Sequence, residues 1–319
     1  MQHSPVRPSC CAVRRRIRAV ISSLQRVAHF IVVMYKPHYM VYGVLWVLAL
    51  EGTAAVATAG PLPYRPGRDT VIRIVVVLLV LLYLRMVDEQ KDLEYDRVHN
   101  PDRPLVTGAV SATELRASMA VLAAISVAAS AFLSVGSVVV MCLTLLYGLF
   151  LWAAEAALPR VRDDIMLNLA VTYPVQLLVT AYVLVSAVDT GEVGSRWQAV
   201  AVVAVFAGAF LQFEFARKTS KVHAPSEHLY SNALGATGSA TAIAVFAVVA
   251  VGAEVLLARP WQLDGAAAVF GWLPPVLLAL PAVGLAKFLR TDRETFPLGP
   301  PVVFVLALYA VLIAQATLA

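Results

Sequence analysis

Apolar residues in this chain run in blocks of roughly 20 separated by short polar stretches, and that spacing constrains the fold more than any motif does. A helix of about 20 residues rises roughly 30 Å, the thickness of the hydrocarbon layer of a bilayer. The blocks fall at about 39-59, 70-87, 111-133, 136-155, 164-188, 197-216, 234-257, 267-287 and 300-318, which predicts nine spans. Backbone groups in lipid must be paired within the segment, and the blocks are continuous rather than alternating, so the spans read as helices and not as barrel strands. Of 319 residues, 60% are hydrophobic and 14% charged, against about 25% charged in a water-soluble domain. An ordinary soluble enzyme is excluded. The expected class is all-α, a polytopic membrane bundle over 37-319 preceded by a basic amphipathic arm over 1-36.

Punctuation supports the boundaries. Gly60-Pro61 and Pro63 follow the first block, Gly191 and Gly194 separate the fifth from the sixth, and Pro300-Pro301 precede the last. Blocks three and four are joined only by Ser134 to Gly136, which predicts a helical hairpin. The amino terminus, with Arg14, Arg15, Arg16 and Arg18 amid short apolar pairs, is too broken for a cleavable signal and reads as a juxtamembrane helix against anionic lipid. Cys10, Cys11 and Cys142 form no spaced framework, so no structural disulfide is implied.

The net charge of +5 invites a nucleic-acid reading, but the positions of the cations decide against it. With the amino terminus placed inside, 20 of the 25 Lys and Arg fall in cytoplasmic segments, leaving Arg65, Arg68, Arg73, Arg196 and Arg259 outside. This asymmetry orients nine spans with the amino terminus and the even-to-odd loops in the cytoplasm and the carboxyl terminus on the opposite side of the cell membrane. The basic charge is used up by topology and one site, and no nucleic-acid partner is expected.

Seven of the 20 acidic residues crowd into one cytoplasmic stretch: Asp88, Glu89, Asp92, Glu94, Asp96, Asp102 and Glu114. Asp88, Asp92 and Asp96 keep a period of four, so a helix that continues past the second span stacks them on one face. Like charges stacked in this way repel, and a divalent cation supplies a reason to place them together. Mg²⁺ prefers hard carboxylate oxygens and is usually held by one or two carboxylates while bridging to substrate phosphates. The plain alternative is a solvated acidic loop neutralised by Lys91, Arg97 and Arg103. At the end of the sixth span, on the same face by parity, Glu214 precedes Arg217 and Lys218 at i+3 and i+4. It reads either as a salt bridge along its own helix or as a second metal ligand facing the first cluster, with Arg217, Lys218 and Lys221 for the anionic oxygens of a metal-bound diphosphate.

The stretch from Arg85 to Gly108, RMVDEQKDLEYDRVHNPDRPLVTG, resembles the first aspartate-rich motif of the UbiA superfamily of intramembrane prenyltransferases. Asp88, Asp92, Asp96, Arg103, Pro104, Leu105 and Gly108 match that pattern residue by residue. Nine spans, with this motif after the second and another after the sixth, extend the resemblance along the whole chain. Val87 stands where the pattern commonly has Asn, and the second motif is reduced to Glu214 with Arg217-Lys218, Glu227 being a possible substitute for its later acids. These departures resemble a divergent branch that includes membrane-bound terpene cyclases.

The resemblance implies a central apolar cavity and a Mg²⁺-dependent enzyme in which Asp88, Asp92, Asp96 and Glu214 hold the metal. Lys91, Arg103, Arg217 and Lys218 would then neutralise the diphosphate of an isoprenyl substrate whose tail runs into the bundle among membrane lipid. A prenyltransferase passes the allylic cation to an aromatic or lipid-like acceptor. A terpene cyclase lets the chain's own double bonds capture it, with Tyr173, Phe206, Phe210 and Phe213 as candidates to stabilise the charge. A remote third reading is a secondary transporter with Glu51, Asn168 and Glu254 as its polar pathway and Pro174 and Pro274-Pro275 marking broken helices; Glu51 and Glu254 then read equally as interfacial residues that snorkel or cap. Asp163-Asp164 reads as a helix start, and His99, His223 and His228 receive no role.

Overall fold

The computed structural model describes residues 10–58, 64–194, 197–224 and 227–318. The punctuation at Gly60, Pro61 and Pro63, the cations Arg7 and Arg196, and the side chains of residues 10–19 lie outside that description. The described chain is a bundle of fifteen α-helices: α1 Cys10–Met34, α2 Pro37–Thr58, α3 Arg68–Lys91, α4 Leu93–His99, α5 Ala112–Ser130, α6 Val135–Ala157, α7 Pro159–Asp163, α8 Ile165–Thr172, α9 Pro174–Asp189, α10 Trp197–Arg217, α11 Tyr230–Ala258, α12 Gly265–Gly271, α13 Leu273–Leu277, α14 Ala279–Arg290 and α15 Gly299–Leu318. Among the described residues, nine helical segments are long and apolar enough to cross a membrane, and they coincide with the nine predicted blocks.

The fifth span is two helices, α8 and α9, because Pro174 lacks the N–H that would continue the ladder. The eighth is three, interrupted around Pro274-Pro275. The seventh, α11, carries a kink at Gly235, whose φ of 70° is a left-handed conformation that favours glycine. The third and fourth spans form the expected hairpin, with Ser134 capping α6 through Ser137 N at 2.9 Å. At the α10–α11 crossing the backbones approach so closely that a Cβ on Gly208 would lie 2.7 Å from the Phe246 carbonyl oxygen, the close packing small residues permit between membrane helices.

The end opposite the acidic motif is clasped by a buried ion pair. Arg73 Nε donates to Glu51 at 2.8 Å with both side chains fully buried. Thr70 donates to the other Glu51 oxygen at 2.7 Å, and Arg73 reaches Thr190 at 2.8 Å and Glu192 at 3.1 Å. Three segments, α2, α3 and the turn after α9, are tied there. Glu51 therefore does not snorkel: a buried carboxylate is tolerated here because it is paired. Glu254 also sits inside, 2% exposed, beside a small cavity of about 10 Å³ lined by Thr53 and Gln315.

The second half of the basic arm packs onto the bundle. Val27, Phe30, Ile31 and Met34 form one helical stripe against the core, with Phe30 fully buried. Arg26 binds Glu114 at 3.0 Å, and the Tyr35 hydroxyl donates to the Leu78 carbonyl at 3.1 Å. Val20, Ile21, Leu24 and Val32 remain exposed.

Candidate functional site

The acidic stretch folds as the sequence spacing predicts at the level of the backbone. α3 runs into α4 with only a bend at Asp92, and the N–H of Asp92, Asp96 and Asn100 bond the carbonyls of Asp88, Asp92 and Asp96 in turn, each at 2.8 Å. The chain then turns through Arg103-Pro104 to Gly108, whose φ of 76° suits a residue without a Cβ. Val110 is fully buried where the loop re-enters the bundle.

The side chains sort into three groups. In the first, Lys91 Nζ lies 2.9 Å from Asp92 and 3.0 and 3.1 Å from the two oxygens of Glu155, at the end of α6. Asn168 of α8 donates to Glu155 at 2.8 Å. The Asp88 carboxylate makes no hydrogen bond or ion pair among the described residues and lies within electrostatic reach of Lys91, Asp92, Arg85 and Glu155. In the second, Arg103 binds Asp96, and lies 3.2 Å from Glu89, which is also held by Arg85. Asn100 donates to the other Asp96 oxygen at 2.9 Å. In the third, Glu214 is held by Arg217, by Lys218 at 3.0 Å and by the Tyr230 hydroxyl at 3.2 Å.

Thus the structure brings Asp88, Lys91 and Asp92 together, and places Asp96 with Arg103 and Glu214 with Arg217 and Lys218. The salt bridge along its own helix, open for Glu214 from the sequence, is what the geometry displays. Lys221 turns away: it donates to the Thr291 carbonyl at 2.6 Å and lies over the Phe288 ring. Two of the remaining acids of the stretch have local partners. Glu94 pairs with Arg97 on the surface, and Glu114 closes a capping box with Ser111. Asp164 caps α8 through the N–H of Met166 and Leu167, as its helix-start position predicts.

The loops after the second and sixth spans meet. Tyr95 stacks between His99 and His228, at 4.1 and 4.8 Å. His228 stands in the field of Lys218 on one side and of Asp92, Lys91 and Glu155 on the other. Desolvation and the Lys218 ammonium hold its imidazole below the ordinary 6.5, with Asp92 opposing. The loop after the sixth span is fixed in turn to the loop after the eighth, through Ser220 paired with Thr295 and Lys221 N bonded to Glu294 O at 2.7 Å.

An aromatic stripe leads inward. Phe206, Phe210, Phe213 and Arg217 recur at helical spacing along one face of α10, so rings lead to a cation. Tyr173 packs on Phe210 at 5.8 Å, and Phe206 on Tyr309 at 5.4 Å. Tyr42 joins Tyr309, with hydroxyl oxygens 3.3 Å apart, and stacks on Trp46 at 6.4 Å. The Tyr173 hydroxyl and both amide atoms of Gln212 are buried with no hydrogen-bond partner among the described residues.

Sequence reasoning missed Glu155, Tyr230, Tyr42, Trp46 and Tyr309, and gave His228 no role. Glu155 had a signal, a lone acid two residues inside the end of a membrane-length helix; the aromatic residues had none, since their partners lie in distant spans. Asn168, a candidate for a transport pathway, instead seats Glu155.

The donor set suits a hard divalent cation in one particular way. Asp88 is free of partners and Asp92, 38% exposed, has one, whereas both oxygens of Asp96 and of Glu214 are engaged. Among the described residues no three His, Cys, Asp or Glu side chains stand together as a ready-made metal cage. One or two carboxylates completed by water and substrate phosphates is the arrangement Mg²⁺ usually accepts.

No family model and no curated protein matches the chain. Solved structures do. A UbiA homologue from Aeropyrum pernix K1 superposes with a TM-score of 0.57 over 85% of this chain and 96% of its own, at 19% identity. A digeranylgeranylglyceryl phosphate synthase superposes with a TM-score of 0.61 over 92% of this chain and 100% of its own, at 14% identity. A UbiA homologue from Archaeoglobus fulgidus bound to DMAPP and Mg²⁺ aligns at 16% identity over 86% and 94%, with a TM-score of 0.48. The fold of this chain is that of the UbiA homologues.

Proposed function

We propose that the chain is a UbiA-superfamily enzyme of the cell membrane that binds an isoprenyl diphosphate with Mg²⁺ at the cytoplasmic end of the bundle and transfers the prenyl group to an aromatic or lipid-like acceptor. The observation that carries this reading is the partner-free Asp88 beside the Lys91, Asp92 and Glu155 cluster, on the same end as Arg217 and Lys218, the cations to which the α10 aromatic stripe leads. Asp88 and Asp92 would hold the metal. Bound there, Mg²⁺ would offset the diphosphate charge and stabilise the negative charge that develops on the leaving group.

Lys91, Arg217 and Lys218 donate to the phosphate oxygens, and their positive ends face charge that grows as the allylic carbon–oxygen bond breaks. Glu214, engaged on both oxygens, orients Arg217 and Lys218 for that task. Asp96 fixes Arg103 and with it the turn that carries the motif back to the membrane. The Phe206, Phe210 and Phe213 face receives the prenyl tail and keeps water from the cation.

Two observations bear on where the cation goes. The unpaired Tyr173 hydroxyl and Gln212 amide are expensive to bury without a partner, about 2–7 kcal/mol each, and a hydrocarbon chain has nothing to offer them; an acceptor bearing oxygen or nitrogen does. The ring cluster of Tyr173, Phe210, Phe206, Tyr309 and Tyr42 favours the second reading, a terpene cyclase, because aromatic faces stabilise a migrating cation. The deciding experiment supplies purified protein with Mg²⁺ and farnesyl or geranylgeranyl diphosphate without acceptor. Transfer predicts no cyclic product and slow diphosphate release; a cyclised hydrocarbon would overturn it in favour of the cyclase.

A further inference from the structure

A carboxylate buried at the end of a membrane span costs several kcal/mol unless it is paired, so the partners of Glu155 show what it is for. It is 5% exposed. Of the cations that follow it in the chain, Arg162 is engaged with Asp163 at 2.9 Å. Both Glu155 oxygens instead reach across to Lys91 of α3, at 3.0 and 3.1 Å, and Asn168 of α8 pins one of them at 2.8 Å. Three spans therefore meet at one carboxylate.

We infer that Glu155, seated by Asn168, is the positioning residue that aims Lys91 at the diphosphate, an inference that rests on the function proposed above. Lys91 is 10% exposed and shares its donors between Glu155 and Asp92. Asp92 is the more exposed carboxylate and stands beside the free Asp88. When Asp92 turns to a metal, Lys91 loses one acceptor and keeps the other. An ammonium has three donors on a flexible stem. With two of them set by the Glu155 oxygens, the third is left pointing at the space that Asp92 vacates, where a phosphate oxygen would lie. Asp88, Asp92 and Glu155 outnumber the one ammonium set among them, and that surplus of hard carboxylate oxygens favours a divalent cation at the site.

The test compares wild type, Glu155→Gln, Asn168→Ala, Lys91→Met, the double variant Glu155→Gln with Lys91→Met, and Asp88→Asn. It measures calorimetric binding of inorganic pyrophosphate in the presence of Mg²⁺, the melting temperature in detergent, and KM and kcat for an isoprenyl diphosphate. Glu155→Gln is expected to weaken Mg²⁺-pyrophosphate binding roughly tenfold, about 1.4 kcal/mol, and Asn168→Ala to weaken it less, with KM rising more than kcat falls. Adding Glu155→Gln to Lys91→Met should cost no further affinity, since the aimed group is already gone. Should Glu155→Gln fail to fold, Asn168→Ala decides, because it keeps the carboxylate and removes only its seat.

Wild-type affinity in both Glu155→Gln and Asn168→Ala, while Asp88→Asn loses binding, would overturn this inference and leave the proposed function standing. Equal losses in the wild-type and Lys91→Met backgrounds would overturn it too, by showing a merely structural role. A wild-type protein that binds no Mg²⁺-pyrophosphate would remove the proposed function and this inference together.

Discussion

Glu214 has both oxygens engaged, by Arg217, Lys218 and Tyr230, and under the proposed function that local saturation makes it an orienter of cations rather than a metal ligand. Glu214→Gln should raise KM for the diphosphate roughly tenfold, on the scale of one lost charge-assisted contact, while the Mg²⁺ concentration for half-maximal activity stays unchanged. A shifted Mg²⁺ requirement would make Glu214 a ligand instead. His228 gives a pH prediction. Its folded-state value lies below the unfolded 6.5 because of desolvation and Lys218. The native state therefore binds fewer protons than the unfolded chain once the pH drops below that value. Stability is complete above pH 6.5 and falls as the pH drops through the window beneath it. Melting temperatures from pH 7.5 to 5 should show this loss relative to His228→Gln; parallel curves would contradict it.

At the scale of elements, the sequence exposed what is local and hid what is not. Span lengths are visible because a continuous apolar run has one consequence in lipid, and the nine membrane-length helical segments fall where the blocks predict, whereas the short helices α4 and α7 lie between blocks. Pro174 and Pro274-Pro275 break their spans for a reason readable from the residue itself, and the Ser134 hairpin follows from loop length. The four-residue period of Asp88, Asp92 and Asp96 survives as backbone hydrogen bonds, yet the three side chains part company, because Arg103 folds back fourteen residues after Glu89 to claim Asp96. Nothing in the spacing of the acids foretells that. The Glu51 and Arg73 clasp is of the same kind: two residues that each look interfacial bury one another. Glu51→Ala leaves Arg73 short of its closest acceptor and should cost roughly 3–5 kcal/mol, measured as a fall in resistance to denaturant in micelles. Activity retained at temperatures well below the new midpoint is expected, since the clasp lies at the end away from Asp88.

Over the whole molecule, charge is scarce and sorted. Twenty of the 25 cations fall in segments assigned to one side, and the same end carries Asp88, Lys91, Arg103 and Lys218. This predicts that a cysteine introduced at Asp102, in a background lacking Cys10, Cys11 and Cys142, is shielded from a membrane-impermeant maleimide in intact cells, whereas one at Ala319 is labelled. The reverse pattern would invert the topology. The bundle shares the fold of UbiA homologues at under 20% identity. The reaction therefore rests on the site, and the site rests on Asp88, whose carboxylate has no hydrogen-bond or ion-pair partner among the described residues. The most direct measurement is Mg²⁺-dependent release of diphosphate from geranylgeranyl or farnesyl diphosphate by wild-type protein and by Asp88→Asn, each with the acceptor pool of native membranes. The account predicts turnover by the wild type and a loss of at least about a hundredfold, roughly 2.7 kcal/mol, in a variant that inserts and melts like it; turnover undiminished in Asp88→Asn would contradict it.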